Sequence, residues 1–182
     1  MKKVTYQEVI SFWFTEIAPA KWWLKDLSFD ETIKTRFQTI HQAAIKGELS
    51  SWRDCAQGRL AEIIILDQFS RNMYRDTALA FAYDAMALVL AQETIALGMD
   101  KELTAIQRSF LYMPYMHSES RLIHQDAVVL YQANGIENNL DFELKHKVII
   151  DRFGRYPHRN AILNRDSTKD ELAFLNEPNS SF

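Results

Sequence analysis

The chain has 182 residues, long enough for one domain with a real core, and its 47% apolar and 25% charged residues are ordinary for a globular protein. Twenty-four acids against 21 lysines and arginines leave a net charge of -3, which disfavours nucleic acid, because phosphate binding needs a basic excess on one face. The lone Cys55 excludes an intrachain disulfide and a cysteine-based zinc site. Apolar runs short of a bilayer span, and no secretory leader, predict a cytoplasmic protein with no membrane partner.

In chain order, Thr5 and Glu8 form a capping box, hydroxyl and acid each accepting an orphan backbone N–H, and predict a helix over 5–16. After a turn over 21–25, Ser28 with Glu31 repeats the pattern and opens a helix over 28–46. A second turn covers 51–55, and Gly58 precedes an apolar segment that predicts a helix over 58–72. Ile63-Ile64-Ile65-Leu66 is β-branched, yet it lies inside a longer segment without strand-type turns and reads as buried helix. Asp76 or Thr77 caps an Ala-, Leu- and Met-rich helix over 77–97.

Thr104 with Gln107 opens a helix over 104–113, and Ser118 is a natural N-cap for 118–134, with Glu119 suited to the first-turn dipole. Asn138 or Asn139 starts a helix over 139–153 that stops at Gly154. Pro157 suits the first position of a short turn over 157–163. Thr168 with Glu171 opens a helix over 168–176, and residues 176–182 read as a frayed tail. Short connections predict antiparallel helix hairpins in a single all-α domain spanning 1–182. The few scattered glycines rule out a phosphate-cradling loop, and no cofactor is expected.

Three polar segments stand out against this frame. Asp67-Gln68-Phe69-Ser70-Arg71-Asn72, with Arg75 beyond, ends a helix that is apolar on nearly every side and so is central. Asp67 and Arg71 lie four apart on one face and can pair. Pro114-Tyr115-Met116-His117-Ser118-Glu119 offers His117 as a base, a hydrogen-bond donor or a metal ligand. Asp151-Arg152-Phe153-Gly154-Arg155-Tyr156-Pro157-His158-Arg159-Asn160 is the densest: Arg152, Arg155 and Arg159 are planar forks for carboxylate or phosphate, and His158 and Asn160 add hydrogen bonds. Each segment also has a structural reading, as ion pairs and caps that brace helix corners. The aromatic runs Phe12-Trp13-Phe14 and Trp22-Trp23 read as core.

With Ala80-Phe81-Ala82-Tyr83-Asp84 and Glu171-Leu172-Ala173-Phe174-Leu175, these segments resemble, in order and spacing, the bacterial family of unknown function DUF924, which belongs to the tetratricopeptide-repeat-like helical superfamily. One position departs: the family commonly has proline where Ser70 stands. The resemblance implies a right-handed stack of antiparallel helix pairs and no established activity.

Three functions follow as expectations. The first is a binding domain for an anionic small molecule or peptide carboxylate. Its site would draw on Asp67, Gln68, Arg71, Asn72, Arg75, His117, Glu119, Arg155, His158, Arg159 and Asn160, with Arg71, Arg155 and Arg159 gripping the anion. The second is a hydrolase-like enzyme with His117 or His158 as base and Asp67 orienting it; a metal variant would use His117, Glu119 and His158 or His146. The third is a protein-interaction scaffold in which the polar motifs are braces. All three require polar side chains far apart in sequence to converge on one internal patch.

Overall fold

The structure, a computed structural model, describes residues 4–178, 180 and 181. Among them every regular element is helical and none is a strand. The Thr5–Glu8 capping box starts α1 (Tyr6–Ser11), and the chain then widens into a π-helical turn over Phe12–Glu16. That turn delivers Phe12 and Trp13 to the core, where Trp13 meets Phe69 and Phe110 edge-on at 5.6 and 5.7 Å. The expected turn over 21–25 is a 3-10 segment over Pro19–Trp23.

Helix α2 (Leu27–Ala44) is capped by Asp26, not by Ser28. The Asp26 carboxylate accepts the N–H groups of Ser28 and Phe29 and the hydroxyl of Ser28. An ionised acid outcompetes a hydroxyl for orphan donors at the positive end of a helix, so the box read at Ser28 does not form.

The centre of the molecule is one rod: α3 (Ala56–Ile64), a π-helical turn over Ile65–Phe69, and α4 (Ser70–Met73). Leu60, Ala61, Ile63, Ile64, Ile65, Leu66 and Phe69 are fully buried, because the rod is packed by α1, α2, α5 and α6. Burial of each large side chain contributes about 1.5–3 kcal/mol, which makes this rod the main apolar anchor. Gly58 lies inside α3, where a Cβ would sit 1.9 Å from the Trp52 carbonyl oxygen. Close approach, not chain reversal, requires glycine there.

The segment expected to be one helix over 77–97 is divided. A 3-10 turn over Ala78–Ala80 and a bend through 81–83 precede α5 (Asp84–Ala96). Asp76 has a positive φ of 60°, and Thr77 stands at the N-cap of the 3-10 turn alone, its hydroxyl bonding back to the Tyr74 carbonyl, so neither caps α5. By length and composition Ala78–Ala96 could cross a membrane, with mean hydropathy 1.3, which corrects the expectation that every apolar run falls short. The bend and the ion-paired Asp84 interrupt it, and Ala87, Leu90 and Ala91 face the core.

Helix α6 (Ala105–Met116) runs through Pro114 and past its expected end. Helix α7 (Arg121–Asn134) is capped by Ser120, two residues beyond the expected Ser118. Helix α8 (Glu137–Phe153) starts without a side-chain cap and ends at Gly154, whose φ of 70° is the left-handed stop glycine allows. Its end, with Ile149, Ile150 and Tyr156, packs on Phe174 of α9 (Lys169–Phe174) as a second small core. The frayed-tail expectation falls partly on Asn179 and Phe182, outside the described residues; the Ser180 hydroxyl reaches the Leu175 carbonyl at 3.1 Å.

Candidate functional site

The π-helical turn in the central rod carries Asp67 and Gln68; such turns are a frequent local device at functional sites. Asp67 is fully buried and meets His117, the residue that ends α6, at 2.7 Å between Oδ1 and Nδ1. Gln68 Nε2 donates to Asp67 Oδ2, and Arg71 Nη1, one turn on, lies 3.0 Å from Oδ1. Arg71 also clasps both oxygens of Asp84, at 2.8 and 2.9 Å. Five side chains, from the central rod, α5 and α6, thus share one hydrogen-bonded cluster.

The charge state of the cluster follows from its neighbours. Burial raises the Asp67 carboxyl, but Arg71, His117 and the Gln68 hydrogen bond outweigh it and hold the group well below the usual carboxylate range. Burial lowers His117, Arg71 lowers it further, and Asp67 only partly compensates, so the imidazole is neutral near pH 7. An ionised Asp67 can only accept. The imidazole proton therefore sits on Nδ1 and the lone pair on Nε2. Among the described residues no protein group bonds Nε2.

His117 lines a cleft of about 350 Å³ with the start of α5, the 117–119 turn and the 157–163 loop. Asp84, Glu119 and Arg159 supply its charge; Phe81, Ala82, Ala85, Leu88 and Leu163 supply its apolar wall. The Arg159 guanidinium lies over the rings of both Phe81 and Tyr156, 4.6 and 4.4 Å from their centroids. Its Nη1 donates to the His117 carbonyl at 3.1 Å and lies 3.5 Å from Asp84. Its buried Nε has no partner. Burial and the nearby Arg71 both lower its proton affinity.

Of the residues expected in one site, Asp67, Gln68, Arg71, His117, Glu119 and Arg159 come together. Others do not. Arg155 lies away from the cleft, its Nε and Nη2 on Glu171 at 2.7 and 2.8 Å, so the expected grip by Arg71, Arg155 and Arg159 does not form. Arg75 and Asn72 bind Asp30 on the other side of the rod. Asn160 bonds Ser167 and Arg165. His158 is half-buried, lies outside the cleft lining and is depressed to about 4 by desolvation and by Arg159. Glu119 is no helix-dipole acid; it accepts the Tyr156 N–H and both terminal nitrogens of Arg165.

His146 bonds the Phe142 carbonyl through Nδ1 within its own helix, and no trio of His, Cys, Asp or Glu among the described residues is placed to hold a metal. That removes the metal variant built on His117, Glu119 and His158 or His146. The residues the sequence reading passed over are Asp84, Arg165 and Phe81. Asp84 did carry a signal, as a lone acid inside the apolar stretch Ala78–Ala91. An acid partly withdrawn from water in such a place needs a cationic partner.

Comparison with known proteins adds identity without chemistry. The family of bacterial proteins of unknown function designated DUF924 matches residues 9–179. The chain is also similar to a solved structure of a protein of unknown function, ATU0120, from Agrobacterium tumefaciens. The two are 38% identical, with a TM-score of 0.90 over 94% of this chain and 96% of that one. No curated protein matches.

Proposed function

Because the chain belongs to the DUF924 family, whose function is unknown, its reading rests on its own side chains, and we propose that the cleft beside Asp67 and His117 is a small-molecule site in which His117 accepts a proton. The observation that carries this reading is the 2.7 Å contact between Asp67 Oδ1 and His117 Nδ1, which orients an Nε2 lone pair on a cleft-lining side chain. The reaction class that fits is hydrolysis. Water gives a proton to Nε2 while its oxygen bonds to an acyl carbon, whose carbonyl π pair moves to oxygen. When the intermediate collapses, the leaving group departs and takes that proton from Nε2, restoring neutral His117. The cleft is at the lower end of the about 300–1,000 Å³ usual for small-molecule sites, which favours a small substrate.

A panel of short acyl esters and amides tests this. Hydrolysis by the wild type should fall about 10²–10⁴-fold in His117→Gln, with the folded state retained. Turnover by that variant equal to wild type would remove the proposal. Anion recognition by three arginines loses support, since Arg71 is held by two carboxylates and Arg155 by one. A scaffold reading draws on the bidentate pairs Arg75–Asp30, Arg155–Glu171 and Arg165–Glu119, which suit braces. For the architecture, we propose the right-handed, tetratricopeptide-repeat-like stack that the superfamily resemblance implies; consecutive packing of α5 on α6, α6 on α7 and α7 on α8 is compatible with it.

A further inference from the structure

Bidentate carboxylate binding recurs in this protein through one edge of the guanidinium. Arg53 presents Nε and Nη2 to Glu62, both at 2.7 Å. Arg75 presents the same edge to Asp30, and Arg155 presents it to Glu171. Arg159 differs. Its Nη1 is engaged by the His117 carbonyl and approaches Asp84, but among the described residues its Nε has no partner and no acceptor meets its Nη2.

Arg159 is only 6% exposed, and the flanking Phe81 and Tyr156 rings fix the plane of its guanidinium. A buried Nε–H without an acceptor is costly, and with the neighbouring Nη2 it makes a planar fork of two N–H donors that matches a carboxylate. The acids nearby do not fill that role: Asp84 is clasped by Arg71, and Glu119 by Arg165.

Beside Arg159 the cleft turns apolar. Ala78, Ala82 and Ala85, whose side chains are single methyl groups, line a shallow trough together with Phe81, Leu88 and Leu163. Neither feature alone specifies a ligand. Together they ask for a molecule with a carboxylate at one end and a short apolar body.

We propose that the cleft takes small amphipathic monocarboxylates, the carboxylate seated on the Nε–Nη2 edge of Arg159 and the apolar part along the alanine trough of the Ala78–Leu88 segment. This rests on the reading of the same cleft as a small-molecule site and adds the class of molecule it admits. The carboxylate provides the acceptor that Arg159 lacks. The apolar body covers a surface that water wets poorly. A substrate of this class would carry its scissile acyl group beside His117 and its permanent charge on Arg159.

Calorimetric titration of the full chain with hexanoate, acetate and 1-hexanol tests the two halves separately. Hexanoate should bind. Acetate should bind more weakly by well over about tenfold, since each buried methylene raises affinity about fourfold. Hexanol, with the tail and no charge, should lose about tenfold or more. Arg159→Gln should bring hexanoate down to the level of hexanol. Should that variant fail to fold, Ala85→Phe, which fills the trough and leaves the guanidinium, should abolish the advantage of hexanoate over acetate.

No hexanoate binding at millimolar ligand, or equal affinity for hexanoate and acetate, overturns the proposal. So does undiminished hexanoate binding in folded Arg159→Gln or Ala85→Phe protein. Binding without any ester or amide turnover removes the base and spares the ligand class; turnover without carboxylate binding does the reverse.

Discussion

The Asp84 carboxylate takes both terminal nitrogens of Arg71, at 2.8 and 2.9 Å, and joins the start of α5 to the central rod. Asp84 also faces Arg159 at 3.5 Å, so a single acid at the edge of the cleft balances two arginines. Asp84→Asn should leave Arg71 with Asp67 alone and Arg159 with only the more distant charge of Glu119. Loss of one member of a buried charge network costs about 3–5 kcal/mol, and urea unfolding should register it. The same change should lower the proton affinity of His117, because Asp84 raises it in the intact cluster.

Arg155→Ala gives the contrasting result. Its partner Glu171 is buried, and Arg155 is the first cause of its carboxyl falling to about 2. Removing the guanidinium should destabilise the C-terminal corner, by an amount that water on the exposed side of the pair reduces. Ligand binding and turnover in the cleft should not change. A loss of cleft function at full stability would contradict the placement of Arg155 as a brace.

Gly58→Ala should cost about 1–3 kcal/mol or more, since its Cβ would fall 1.9 Å from backbone oxygen that no rotamer can move. Alanine favours helix by about 1 kcal/mol over glycine elsewhere, so the sign of the measured change is diagnostic. A stabilised variant would rule out this packing of α3 on Trp52.

Stability should fall with acid in two windows. Burial depresses His41 and His158 to about 4 from an unfolded value of 6.5, and His146 to about 3. As pH drops from 6.5 toward about 4, the unfolded chain binds protons that the fold refuses, and stability is lost. Glu171 adds a second loss from 4.5 toward about 2, as its pairing with Arg155 is titrated away. Urea midpoints measured through this range should decline, and His41→Gln should flatten the first window. A flat profile between neutral and pH 5 would contradict the burial of these histidines.

Much of the fold was legible because its signals are local. The Thr5, Thr104 and Thr168 boxes and the stop at Gly154 depend on residues within a turn of each other, and all formed. The errors came where a non-local or stronger partner intervened. Asp26 displaced Ser28 as a cap, and Arg165 drew Glu119 off the α7 dipole. The site was legible in part for the same reason: Asp67 and Arg71 are one turn apart, whereas His117 and Arg159 arrive by tertiary packing. Nothing in the pattern of Arg152, Arg155 and Arg159 distinguishes the arginine that finds Glu171 from the one left with an open edge. Ser70, where the family commonly has proline, is buried with its hydroxyl 2.8 Å from His41 Nε2, a contact no local pattern announces.

Ring-nitrogen NMR of His117 near neutral pH is the most direct probe of the site. The wild type should show the proton on Nδ1, an unprotonated Nε2, and no charging until the pH falls below the ordinary histidine value of about 6.5. Asp67→Asn, whose amide can donate to Nδ1, should move the proton to Nε2. A wild-type imidazole protonated on Nε2, or fully charged at neutral pH, would contradict a proton-accepting role for His117.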